Sequence, residues 1–243
     1  MVELVLLGTF VGLLSGFFGV GGGTILIPLL LMLGFETKVA IGISVVQMVF
    51  SSVYGSYLNN KKGNLDIKMV AIIGVGGFCG ALLSGYIAAL LSDRTLELMF
   101  FAFATFALVR MFFKTHENAQ ERELHYSFLL LIGLILGALS MTIGVGGSIL
   151  LVPILVAFLH IKLKKATSAG LFFVVFSSIA GLISHAIEGH IDYESGVTIG
   201  IASLFGVYLG IHLKERVSHQ VQKSLLILFY LFVVLYLAKR IFF

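Results

Sequence analysis

GFFGVGGGTILIPLLLMLG, residues 16 to 34, sets the reading of the whole chain. Four of the five residues from 19 to 23 are glycine, yet the flanks are oily enough for the middle of a bilayer. A glycine inside a helix costs about 1 kcal/mol relative to alanine, and unpaired backbone amides are least tolerated in hydrocarbon. The cluster is therefore either a surface for close helix crossing or a built-in break.

The composition decides the surroundings. Of 243 residues, 59% are hydrophobic and 12% charged, and the mean hydropathy is +1.09. A soluble domain carries about 25% charged residues, so a water-soluble globule is excluded. The net charge is +4, but the basic residues cluster between apolar runs. That pattern orients a chain in a bilayer and does not make a nucleic-acid surface. One cysteine, Cys79, excludes a disulfide framework and a cysteine metal site. It is expected to be a small buried residue. The first apolar run lacks a basic n-region and an A-x-A pattern, so it reads as a span and not as a signal peptide.

Charge-free apolar segments form eight blocks: 4–33, 39–58, 69–91, 96–113, 126–159, 166–187, 195–212 and 224–240. Most have the length of one helical crossing. Two are too long, and these carry the glycine clusters. They also match each other. At an offset of 125, Ser15, Gly19, Val20, Gly21, Gly22, Leu26, Pro28 and Leu30 recur as Ser140, Gly144, Val145, Gly146, Gly147, Leu151, Pro153 and Leu155. At an offset of 126 the match continues through Lys38/Lys164, Ala40/Ala166, Ser51/Ser177, Gly55/Gly181, Gly63/Gly189, Asp66/Asp192, Gly74/Gly200 and Gly80/Gly206. The chain is expected to be two repeats, 1–113 and 126–243, joined by a polar linker at 114–125.

Corresponding loops carry opposite charge. NNKKGNLDIK (59–68) is basic, whereas HAIEGHIDYE (185–194) has three acids and no lysine or arginine. A positive-inside bias that flips between copies predicts inverted repeats, which require an odd number of crossings in each. Three spans plus one re-entrant or broken helix satisfy this. In the first copy an incoming arm (4–18) and an outgoing arm (24–34) flank the glycines, and the outgoing arm is only about 16 Å long. With six crossings and two hairpins, twelve basic residues fall on one side and four on the other, namely Lys38, Arg94, Lys239 and Arg240. Both termini then lie outside, and Lys239-Arg240 run against the bias. The expected fold is an all-α polytopic membrane protein.

Each glycine tip precedes a half-helix starting near Thr24 or Ile149, with free N–H groups and a partial positive charge of roughly +0.5. Glycines let such amides curl around an oxyanion. The expected anion site is Gly19, Val20, Gly21, Gly22, Gly23 and Thr24 with Gly144, Val145, Gly146, Gly147 and Ser148. Ser44, Gln47 and Ser51 share one helix face, and Ser177 lies on the matching face of the second copy, with Phe173 in the place of Gln47. The structural alternative is close helix crossing for the glycines and interhelical hydrogen bonding for the hydroxyls. His185, beside an acidic loop, is a group that could titrate near neutrality or simply sit at the interface. Gly63–Asp66 and Gly189–Asp192 read as repeated turn and cap chemistry. No lysine-serine or lysine-threonine follows the glycines, which argues against nucleotide binding.

At GFFGVGGGTILIPLLL (16–31), IGVGGSILLVPIL (143–155) and the Lys-x-Ala that follows each hairpin, the sequence resembles the sulfite exporter TauE/SafE family of membrane transporters. The resemblance covers essentially the whole chain. It implies a multi-pass permease of the cytoplasmic membrane for sulfur-containing anions such as sulfite or sulfonates. It also implies seven or eight spans, against the six plus two hairpins read above. The sequence-level expectation is a secondary transporter of a small oxyanion, with no cofactor, no metal site and no nucleic-acid partner. A coupling proton or sodium ion and an oligomer are both compatible with it. The competing classes are a membrane-embedded sulfur-handling enzyme acting through Cys79, and a non-transporting accessory subunit.

Overall fold

The computed structural model describes residues 2–19, 21–61, 67–112, 125–161 and 163–242. Val20, the Gly63–Asp66 turn and residues 114–124 of the linker lie outside the described residues. The described chain is helical: α1 Val2–Phe18, α2 Gly23–Met32, α3 Thr37–Lys61, α4 Ile67–Ala81, α5 Ser84–Leu90, α6 Asp93–Phe112, α7 Tyr126–Thr142, α8 Ser148–Phe158, α9 Leu163–Ile187, α10 Tyr193–Arg216 and α11 His219–Phe242. Among these residues, six stretches are long and apolar enough to cross a membrane: Thr37–Lys61, Met69–Leu90, Asp93–Phe112, Lys165–Ile187, Tyr193–Lys214 and Gln220–Phe242. The protein is a multi-pass membrane protein.

The two overlong blocks are broken helices. α1 and α7 have 17 residues each, α2 has 10 and α8 has 11. At 1.5 Å per residue the second arms are only about 15 and 17 Å long, as the sequence predicts. They begin at Gly23 and Ser148, one residue before the expected starts. The turn reading at 189–192 also holds. Gly189 has φ +72°, and the Asp192 carboxylate accepts from Ser195 N at 3.1 Å, capping α10.

α1 lies against α10, and α4 against α7, along seams of glycine. A Cβ added at Gly8, Gly12 or Gly16 would lie 2.6, 2.1 or 2.5 Å from the carbonyl oxygens of Ile199, Ser203 and Val207. One added at Gly133 or Gly137 would lie 2.0 or 2.2 Å from those of Ile73 and Gly77. Gly8 and Gly133 are 125 residues apart, and Ile73 and Ile199 are 126 apart. The same backbone-to-backbone seam is thus built twice, each time from one helix of either sequence copy. Small residues permit this approach, and dispersion between the backbones holds it.

The bundle is apolar outside and polar at its heart. Leu6, Phe10, Leu228, Phe232 and Leu235 are exposed, whereas Ser15, Thr24, Ser44, Gln47, Ser51, Ser140, Ser148 and Ser177 are buried. Cys79 departs from expectation: it is exposed. Gly76, Gly77 and Gly80 turn one face of α4 against α7 and α9, which leaves Val75 and Cys79, four apart, on the opposite face.

Block 69–91 reads in sequence as one continuous span but breaks between α4 and α5. The Ser184 hydroxyl of α9 donates to Leu82 O and accepts from Gly85 N, both at 2.8 Å, so a side chain inserts where the helical ladder opens. At one end of the bundle Arg240 pairs with Glu97 at 3.0 Å. Thr37 donates to the same carboxylate oxygen at 2.8 Å, and Arg240 reaches Leu31 O at 3.3 Å. Arg240, which opposes the charge bias, is therefore neutralised within the bundle.

Candidate functional site at the two glycine turns

The glycines between the broken arms adopt backbone angles that few other residues accept. Gly19 and Gly21 have φ of +69° and +70°, and Gly144, Gly146 and Gly147 have +67°, +79° and +73°. A side chain at any of these would be strained. The turns close on their own helices, through Gly19 N to Ser15 O at 2.8 Å, Gly144 N to Met141 O at 3.1 Å and Val145 N to Ser140 O at 2.9 Å.

The two turns meet. A Cβ at Gly23 would lie 2.0 Å from the carbonyl oxygen of Gly144. That oxygen accepts a 2.9 Å hydrogen bond from Ser44 of α3. Gly21 and Gly146 both face the Sδ of Met48 and the methyls of Val174. Residues 125 apart in sequence are thus brought to one place, between α3 and α9.

The surroundings of the turns follow the repeat but diverge chemically. Gly22 lies against the Gln47 amide, whereas its counterpart Gly147 lies against the Phe173 ring. Gly23 is approached by the Ser44 hydroxyl, whereas its counterpart Ser148 approaches Gly170, the counterpart of Ser44. Each copy thus places one hydroxyl between half-helix and long helix, on opposite partners. The aromatic ring in one copy and the amide in the other make the centre polar on one side.

These polar groups lack partners. Both amide atoms of Gln47 and the hydroxyls of Ser15, Thr24 and Ser148 are buried with no hydrogen bond. The Tyr230 hydroxyl of α11 neighbours Thr24 but also lacks hydrogen-bonding geometry. Among the described residues, no protein acceptor takes the amides of Gly21, Gly22, Gly23 and Thr24 at the start of α2. An unsatisfied buried polar group costs about 1–3 kcal/mol, so several together are a large expense for purely structural packing. No Asp, Glu, Lys or Arg belongs to this set. Neutral donors and two half-helix N-termini make an environment suited to an anion. Among the described residues, no group of three or more His, Cys, Asp or Glu could hold a metal ion.

Of the expected site residues, the structure brings together Gly21, Gly22, Gly23, Gly144 and Gly146 with Ser44 and Gln47, while Gly147 lies against Phe173, Ser148 against Gly170 and Gly19 against Thr167, and Thr24 and Val145 are buried. The Ser51 and Ser177 hydroxyls instead bond carbonyls of their own helices, Ser51 to Met48 O at 3.4 Å and Ser177 to Phe173 O at 3.3 Å. Sequence reading passed over Ser15 and Tyr230. Identity of Ser15 and Ser140 across the repeat was an available signal for the first, and nothing local marks the second.

The profile described as "Sulfite exporter TauE/SafE" matches residues 4–237. The chain is 28% identical over 233 residues to "Probable membrane transporter protein YdhB" of Bacillus subtilis, covering 93% of this chain and 95% of that protein. It is 24% identical to "Probable membrane transporter protein YunE" of the same organism, over 89% of each. It is 28% identical to "Probable membrane transporter protein MJ0441" of Methanocaldococcus jannaschii, over 88% and 86%. No solved structure matches the chain.

Proposed function

Because the chain belongs to the sulfite exporter TauE/SafE family, we propose that it is a secondary transporter that moves a small sulfur-containing oxyanion, such as sulfite or a sulfonate, across the cytoplasmic membrane. The observation that carries this reading is the cluster of buried, unpartnered polar groups where the turns meet: Gln47, Thr24 and Ser148 beside the open amides of α2.

Charged side chains at this depth would cost several kcal/mol unpaired. Amide and hydroxyl donors avoid that cost while still replacing the water around an anion. Their neutrality also keeps binding weak enough for release. The turns are closed over by Met48, Val174 and Phe173, so passage requires the half-helices to part from α3 and α9 on one side at a time. That is alternating access, for which two related copies of one unit provide the two sides. The sequence has no nucleotide-binding motif, so an ion gradient or the substrate's own gradient supplies the driving force.

Thermal unfolding of the detergent-solubilised protein with a panel of anions tests the reading. Sulfite or a sulfonate raises the midpoint with saturable dependence, by RT ln(1 + [L]/Kd) in free energy, whereas chloride and glutamate do not. Equal shifts with every salt would remove the site.

A further inference from the structure

The structure assigns a proton-binding site, coupled to anion movement, to the pair His185–His190 at the end of α9. It rests on the transport reading above and adds the coupling ion and its route.

His185 is fully buried. Its Nε2 lies 3.1 Å from Met141 O, the same carbonyl that accepts Gly144 N and closes the second glycine turn. A carbonyl can only accept, so Nε2 carries the hydrogen. In the neutral ring Nδ1 is then a bare lone pair. That nitrogen is buried and has no partner, so it is the ring atom that can accept a proton. The His190 ring is 5.7 Å from that of His185, centre to centre, and its Nδ1 is likewise unpartnered. His190 N also donates to His185 O at 3.1 Å, and its carbonyl lies against Gly42 of α3. The pair thus runs from the partly exposed 188–192 loop to the turn that holds Gly144.

The neighbours are defined. Ser184 and His185 pack on Gly85 of α5, and Met141 closes the α7 side. Lys38 of α3, Glu188 of the loop and Asp93 of α6 face His190. Burial, with Lys38 adding to it, holds the His190 imidazole below its ordinary value, against the opposing pull of Glu188 and Asp93. His190 is partly exposed, so it is the member of the pair that exchanges protons with water.

The counterparts of His185 and His190 in the first copy are Asn59 and Asn64, so the device exists once. A proton taken by His190 moves to Nδ1 of His185 and makes an imidazolium behind the Gly144 turn, a buried charge that is costly alone and that an anion held in the turns offsets. One proton with one monoanion is electroneutral. The bound anion stabilises the imidazolium and the imidazolium stabilises the anion, a reciprocal coupling.

The test uses proteoliposomes and radiolabelled methanesulfonate, whose charge does not change with pH. Two rates are measured: exchange at equal pH, and net uptake under an inward proton gradient. In the wild type the gradient accelerates net uptake. In His185→Gln, which keeps an N–H for Met141 O, exchange persists and gradient stimulation disappears. His190→Gln, a change outside the spans, slows the gradient-driven component and carries the same prediction should His185→Gln fail to insert. Gradient stimulation at the wild-type level in both variants, or none in a wild type that exchanges, would overturn the assignment and leave the transport reading standing. No exchange of either methanesulfonate or sulfite in the wild type would overturn both.

Discussion

The hydroxyl of Ser44 donates a 2.9 Å hydrogen bond to the carbonyl of Gly144, one hundred residues away. The bond joins a long helix of the first sequence copy to the glycine turn of the second. The same oxygen stands so close to Gly23 that no side chain fits there. One carbonyl therefore fixes the spacing of both turns.

Ser44→Ala tests that role. It leaves the Gly144 carbonyl buried without its partner, at a cost of about 1–3 kcal/mol. For a chain of this size each kcal/mol lowers the midpoint by roughly 2–4 °C. Thermal unfolding of the purified variant is expected to show a loss of several degrees. An unchanged midpoint would mean that the turn does not depend on this bond.

Gln47→Leu is expected to separate stability from function. Both Gln47 amide atoms are buried and unpartnered, so an apolar side chain of similar size removes a desolvation cost. The variant raises the unfolding midpoint in anion-free buffer and loses the stabilisation that sulfite gives the wild type. A variant still stabilised by sulfite to the same extent would take Gln47 out of the site.

The glycine seams predict a contrast between positions. In Gly12→Ala the new methyl meets the Ser203 carbonyl oxygen at 2.1 Å, and in Gly137→Ala that of Gly77 at 2.2 Å. Backbone must move in both, so both are expected to lose monodisperse protein in size-exclusion chromatography. Gly34→Ala has nothing within 4 Å and only a φ of +89° to strain it. It is expected to cost about 1 kcal/mol and to remain monodisperse.

At the end of the bundle, Glu97→Gln breaks the pair with Arg240 and weakens the acceptor of Thr37. The carboxylate side chain is 10% exposed and the arginine 35%, so the loss is partly screened and amounts to about 1–3 kcal/mol. Glu97→Leu with Arg240→Met removes both charges and recovers most of it. Comparison of the two unfolding midpoints decides this.

Much of this architecture could be read from the chain. The breaks at Gly19–Gly23 and Gly144–Ser148 were visible because glycine clusters recur at a fixed offset inside runs too long for one crossing. The half-length of α2 and α8 followed from counting residues. The cap at Asp192 was legible because cap chemistry is local. What could not be read was which helices touch. Gly8 meets Ile199 across 191 residues, and no local pattern states that α1 pairs with α10 and not with its chain neighbour α2. The break at Leu82 was hidden because its cause is Ser184, on another helix. The exposure of Cys79 depended on which face of α4 the glycines claim. At the site, residue types pointed to Ser44 and Gln47, but Ser51 and Ser177 share that pattern while bonding their own helices.

The central claim is that the two glycine turns hold the anion between them, and flux of radiolabelled sulfite into proteoliposomes tests it most directly. Gly21→Leu and Gly146→Leu each place a side chain where φ is +70° or +79° and where Met48 and Val174 close the space. Both variants are expected to insert and to lose saturable sulfite flux, while empty liposomes give the leak. Saturable flux at the wild-type rate in both variants would contradict the account.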